Sequence, residues 1–219
     1  MADAPRPIAL RGAVPRRFHP PLRHGRALPA LWLFSDPVRL PDPCAAASRL
    51  PRGAGVVARA AAPAVLAALR PLARRRGLVL VVAGDGRAAL AARAGLHLPD
   101  RRPGRGVLPF LAARRAGAPA AVLTMAAHGS AGAAARVRRL RPDVVFLSPL
   151  FPTASHPGAP ALGPLRWQAA ARRLGRVAVA ALGGVAVRTL ARVPRRAAGV
   201  AAIGGLAPQA VAPSPQCLR

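Results

Sequence analysis

From residue 30 to residue 206, short apolar runs alternate with longer segments in which Ala, Val and Leu recur at helical spacing against Arg. The runs are ALWLFSD (30–36), GVVARA (55–60), GLVLVVAGD (77–85), GLHLPD (95–100), AAVLTMAAH (120–128), DVVFLSPLF (143–151), VAVAALGG (177–184) and GVAAIGGL (199–206). Their apolar residues are consecutive rather than alternating, which is the pattern of parallel strands covered on both faces. Segments such as AAPAVLAALRPLARRR and GSAGAAARVRRLR would supply the covering helices. Eight strand–helix alternations predict an α/β fold, a single (β/α)8 TIM barrel. A doubly wound open sheet is the alternative, because GLHLPD is short and GVVARA also reads as a turn entering a helix.

Outside this repeat the chain changes character. Residues 1–29 are rich in Arg and Pro and read as an unstructured extension, leaving residues 30–219 as the barrel domain. The 219 residues with 53% hydrophobic content suffice for one core. Cys44 and Cys217 form no C-x-x-C pair, so neither a disulfide framework nor a zinc knuckle is indicated, and a reducing, cytoplasmic setting is expected. No apolar run reaches the ~18 residues of a membrane span.

Charge bears on the choice of partner. Thirty-four basic residues against six acidic ones give a formal +28, a balance that ordinarily points to nucleic acid. Here every basic residue is Arg and every acidic one Asp, and the arginines are scattered through helical segments rather than gathered in one arm. Aromatics make up only 3%, leaving few platforms for stacking bases. The arginines therefore read as solvated helix faces, and no nucleic-acid partner is expected.

In a barrel of this kind the site forms at the carboxyl ends of the strands. Asp36, Arg59, Asp85, His97, Asp100, His128, Ser148, Thr153, Ser155 and His156 fall at those ends or just beyond. Gly183 and Gly184 close the seventh run, and Gly204 and Gly205 the eighth. Paired glycines there suit a phosphate held by backbone N–H groups, and they equally suit plain turns in a Gly-rich chain. Asp85 with His97, His128 and His156 could converge on a metal, but no H-x-x-x-H spacing supports one and an acid/base or structural role is favoured. At a strand end the Arg59 fork would suit a phosphate.

Taken together, LWLFSD, GLH, VVFLSPLFPTASHPGAPALG, ALGGV and GVAAIGGL resemble the thiamine phosphate synthase family in content and order, over Leu31 to Leu206. The resemblance implies a barrel of vitamin B1 biosynthesis that binds a thiazole phosphate. In the synthases, Mg²⁺ helps a pyrimidine diphosphate lose pyrophosphate and the thiazole nitrogen captures the cation. Around that diphosphate the family places an Arg-x-Lys, an Asn-Asp, a second Asp after the fourth strand, a Ser after the fifth and a Lys in the sixth loop. This chain keeps Arg59 and Asp85 but has Ala61, Gly84, Arg102, Ala126 and His156 at the remaining positions, with Asp100 the nearest substitute for the second carboxylate.

The thiazole side matches better. Thr153 and Ser155 correspond to hydroxyls that hold the thiazole, Gly183 and Gly184 to the phosphate turn, and Ile203 and Gly204 to the second phosphate cradle. The TenI branch, a thiazole tautomerase, uses a His after the fifth strand to move one proton, and His128 stands there. An imidazole, with an ordinary pKa near ~6.5, is suited to that task. The resemblance thus implies a tautomerase-like enzyme that needs no cofactor. The alternatives are an active synthase using Mg²⁺ with Asp85 and Asp100, and a non-catalytic module binding the same phosphate ligand.

Overall fold

Each of the eight apolar runs becomes a strand. The computed structural model describes residues 18–100, 104–153, 158 and 160–203. The strands are β1 (Leu31–Phe34), β2 (Gly55–Ala58), β3 (Val79–Ala83), β4 (Gly95–Leu98), β5 (Leu123–Ala127), β6 (Val144–Leu147), β7 (Ala178–Leu182) and β8 (Gly199–Ala202). All pair in parallel with their sequence neighbours, and β8 pairs with β1, so the sheet closes. The helices returning between strands are α1 (Cys44–Ala47), α2 (Pro63–Arg76), α3 (Gly86–Ala91), α4 (Val107–Arg115), α5 (Ala131–Leu140), α6 (Gly163–Arg173) and α7 (Val187–Leu190). GVVARA and GLHLPD are both genuine strands, which removes the open-sheet alternative. Among the described residues no helix is long and apolar enough to cross a membrane.

Although the runs are continuously apolar, the two faces of each strand enter different cores. Trp32, Phe34, Val57, Val81, Val144 and Phe146 point into the barrel with Ala180 and Ala201, whereas Leu31, Leu33, Val145 and Leu147 pack outward under the helices. Large rings from β1 and β6 are matched by alanines from β7 and β8, the alternation of large and small that fills an interior without voids. Phe146 meets Trp32 and Phe34 edge to face, with centroids 5.2 Å and 4.8 Å apart. Gly55 of β2 makes room for Trp32, since a Cβ there would fall on the indole.

Residues 18–29 lead into β1. They belong to the fold: Leu22–Arg23 and Arg26–Ala27 form a short antiparallel hairpin, with Phe18 and Leu28 buried. Leu28 packs on the interior cluster and Trp32 Nε1 donates to the Pro29 carbonyl at 2.7 Å, so this segment closes the amino-terminal end of the barrel. Arg23 adds a long-range tie, with NH1 3.2 Å from Asp143 Oδ1. The Asp143 carboxylate also takes Arg114 NH2 at 2.9 Å and the Leu123 N–H at 2.7 Å.

Candidate active site

Of five carboxylates or bases expected at the mouth, Asp36, Asp85, Asp100 and His128 stand there and His97 does not. Asp36, just after β1, is held by its own loop: Oδ1 accepts the N–H groups of Val38 and Arg39, and Oδ2 accepts from Arg39 NH2 at 3.2 Å. Burial acts to raise its pKa, but the Arg39 hydrogen bonds prevail and hold it below the usual carboxylate value. Arg59 leans over the same carboxylate with NH1 3.9 Å from Oδ2, and its side chain is 44% exposed. Its backbone is pinned by the buried Ser35, whose hydroxyl accepts from Arg59 N and donates to Arg59 O.

Asp85 caps α3. Its Oδ1 accepts from the Arg87 and Ala88 N–H groups at 2.9 Å and 3.0 Å, satisfying two orphan donors of that helix. His97 faces the interior of the barrel rather than its mouth. It is buried, edge-on to Phe34 at 5.5 Å, with Nδ1 2.9 Å from Thr124 Oγ1. Burial, with a smaller contribution from Arg59, pushes its pKa down to about 3, so the ring is neutral across the physiological range.

Asp100 and His128 come together. Strands β4 and β5 pair Leu98 with Met125, so the residues leaving their carboxyl ends emerge side by side. His128 Nδ1 lies 2.8 Å from Asp100 Oδ2, and Arg136 of α5 holds the other side of the carboxylate, with NH1 3.4 Å from Oδ1 and NH2 3.1 Å from the Pro99 carbonyl. The Asp100 side chain is only 6% exposed, and that of His128 is 50% exposed. A carboxylate offers only lone pairs, so Nδ1 carries the proton of this bond and the neutral ring presents Nε2 as an acceptor. A partly open imidazole oriented by a buried carboxylate is equipped to take a proton and give it back.

The glycine pair after β7 has a clear local reason. Gly183 and Gly184 adopt φ of 90° and 64°, in the left-handed region, and the chain leaving β6 passes close over them. A Cβ on Gly183 would meet Pro149, and one on Gly184 would meet the Pro152 carbonyl and Phe151. The β6 chain is stitched to this turn by Leu150 N–H to the Leu182 carbonyl and Phe151 N–H to the Gly183 carbonyl. Thr153 is half-buried at the end of that stretch, and Ile203 packs against both cores at the end of β8. Ser155, His156 and Gly204 lie outside the described residues.

Magnesium can be tested against these donors. Asp85 Oδ1 is committed to two amides, and Asp100 faces an imidazole and a guanidinium, a cation where a second cation would have to bind. Among the described residues no three His, Cys, Asp or Glu side chains gather to hold a metal ion. No metal-dependent step is assigned to these residues. Arg136 and Thr124, the partners of the two histidine sites, were not singled out by the sequence. Arg136 is 36 residues from Asp100 and looks like any other helix arginine.

A family model described as thiamine monophosphate synthase matches residues 57–206. No curated protein matches the chain. Among solved structures, thiamine phosphate pyrophosphorylase from Pyrococcus furiosus is similar with a TM-score of 0.61 at 20% identity, covering 80% of this chain and 85% of that one. A native KDPGal structure aligns with a TM-score of 0.56 at 15% identity, over 83% and 85% of the two chains. The 2-keto-3-deoxy-6-phosphogluconate aldolase of Zymomonas mobilis ZM4, solved with 3-phosphoglycerate, gives 0.51 at 16% identity over 80% of each. At such identities these likenesses speak for the barrel alone.

Proposed function

The chain belongs to the thiamine monophosphate synthase family, an enzymatic family, and on that premise we propose that it acts on a thiazole phosphate as a tautomerase, with His128 as the acid/base. The observation that carries this reading is the His128–Asp100 pair at 2.8 Å. In the reaction, Nε2 takes one proton from the ring tautomer, and the imidazolium, its Nδ1–H facing Asp100, returns the proton at another ring position. The thiazole becomes aromatic with no change in composition, so neither oxidant nor cofactor is required. Asp100 orients the ring and stabilises the cation that forms between the two transfers, and Arg136 holds Asp100 in place.

The substrate is held at the other side of the mouth. Its phosphate rests on the turn of Gly183 and Gly184 and on the backbone of Ile203 and Gly204, with Arg59 as a further cationic contact. Thr153, with Ser155 and His156 further along the same sequence, is proposed to hold the thiazole. Support comes from the left-handed glycine turn, which brings backbone rather than side chains to the mouth, and from the exposed guanidinium of Arg59.

The test supplies purified protein with the thiazole phosphate tautomer, with and without the pyrimidine diphosphate and Mg²⁺. Aromatisation without either addition is the expected result. Thiamine phosphate formation that requires both would replace this reading with a synthase, and tight binding without turnover in either assay would leave a ligand-binding module.

A further inference from the structure

Because the strands are parallel, every helix returns to the same end of the barrel, opposite the mouth. The arginines that look scattered along the chain collect at that base. Arg52, Arg93 and Arg196 stand in three of the seven returns from a helix into the next strand, Arg115, Arg139 and Arg173 in the last helical turn before three more, and all are exposed. The seventh return, from α2 to β3, begins with Arg74, Arg75 and Arg76 at the end of the helix. Carboxylates segregate the other way. Asp36, Asp42, Asp85 and Asp100 all follow strands on the mouth side, and Asp143, the one described carboxylate at the base, is consumed by Arg23, Arg114 and the Leu123 N–H.

Last-turn arginines complement helix dipoles, which accounts for Arg75, Arg115, Arg139 and Arg173 taken singly. It does not account for Arg52, Arg93 and Arg196, which lie beyond helix ends, nor for the lack, among the described residues, of a free carboxylate to balance the ring. We propose that the barrel base is a docking surface for duplex nucleic acid, gripped through its phosphates. Guanidinium forks suit phosphate oxygens, and a ring of them releases counterions from a polyanion. No aromatic stands among the exposed large apolar residues, so bases have nothing to stack on and a duplex is the better fit. An anionic membrane fits less well: among the described residues, Val38, Leu108, Leu165 and Val187 are on the mouth side and only Leu22 of the hairpin stands near the base to enter an acyl layer.

The test measures fluorescence anisotropy of a labelled 20-base-pair duplex of arbitrary sequence with the full chain, from about 50 to 300 mM salt. A steep linear fall of log affinity with log salt is expected, about 0.9 in slope for each phosphate contact. The variant with Arg75→Gln, Arg93→Gln, Arg139→Gln and Arg173→Gln should bind tenfold or more weakly at the lowest salt with a shallower slope. Arg87→Gln with Arg166→Gln and Arg188→Gln, on the mouth side, should bind like the parent. Should the fourfold variant not fold, the two double variants (Arg75 with Arg139, Arg93 with Arg173) should each show part of the loss. Salt-insensitive binding, equal losses from mouth and base variants, or tighter binding to phosphatidylglycerol vesicles than to the duplex would overturn the proposal.

Discussion

His97 allows a prediction about stability that does not depend on the reaction. Its imidazole is sealed between Phe34, Phe146 and Thr124, and its pKa is pushed down to about 3 by burial. In the unfolded chain an imidazole titrates near ~6.5. The folded value is the lower one, so between the two the unfolded chain binds a proton that the native state refuses. Stability from this site is complete above about pH 6.5 and is lost as the pH falls toward about 3. At about 1.36 kcal/mol per pH unit, acidification to pH ~5 costs about 2 kcal/mol through this one ring. The carboxylates of Asp36 and Asp42, both held below their usual value, titrate below the interval from pH ~7 to ~5 and do not mimic the effect there. Urea unfolding at about pH 7 and pH 5 on the parent and on His97→Gln, which keeps a hydrogen-bonding group for Thr124 and cannot titrate, isolates the contribution. The parent should lose about 2 kcal/mol more than the variant over that interval, whatever the variant's starting stability. If the two lose the same amount, the imidazole is reached by water or protons in the native state, and the reasoning from burial fails.

Other substitutions test the site and the core. His128→Ala should lower the rate of proton transfer by ~10²–10⁴-fold with the melting temperature little changed, read by a tautomerisation assay. Asp100→Asn should reduce kcat more than it changes KM, and ¹⁵N NMR of the His128 ring should show the Nδ1-protonated tautomer giving way to the other; an unchanged tautomer ratio would remove Asp100 from its positioning role. Gly184→Ala forces a side chain into a left-handed turn against Phe151 and Pro152, and should cost ~1–3 kcal/mol in thermal or urea unfolding and weaken binding of inorganic phosphate by calorimetry. Gly55→Val places atoms where Trp32 sits and should destabilise by ~3 kcal/mol or more, read as a lower urea midpoint with blue-shifted or broadened tryptophan emission.

The barrel was legible because its signal is local. Eight continuous apolar runs, each separated by an Arg-studded helical segment, admit few other arrangements. The hairpin at residues 22–27 was not legible, because its Arg- and Pro-rich composition matches that of an unstructured tail. What orders it is long-range: Leu28 packs on the barrel interior, Phe18 joins the core under the helices, and Arg23 reaches Asp143 across 120 positions. His128 could be singled out from its place after the fifth run. Its partner was open to inference once the barrel was assumed, since Asp100 and His128 leave adjacent strands at similar distances beyond the paired Leu98 and Met125. Burial of His97 inside the barrel could not be read from GLHLPD, where alternate residues of a uniformly apolar run carry no mark of which face they take. The gathering of arginines was likewise hidden, because neighbouring in space at the base depends on the helix returns and not on sequence distance.

Positive charge is heavier at the base than at the mouth, where Asp36 and Asp100 partly offset Arg39, Arg59 and Arg136, so the molecule's charge is lopsided along the barrel axis. With the base as the docking surface proposed above, a polyanion held there, at the end plugged by the hairpin, leaves the strand ends with Asp100 and His128 turned outward to solution. A molecule held in this way presents its reactive face like an upturned cup, so immobilisation and turnover need not compete for the same surface.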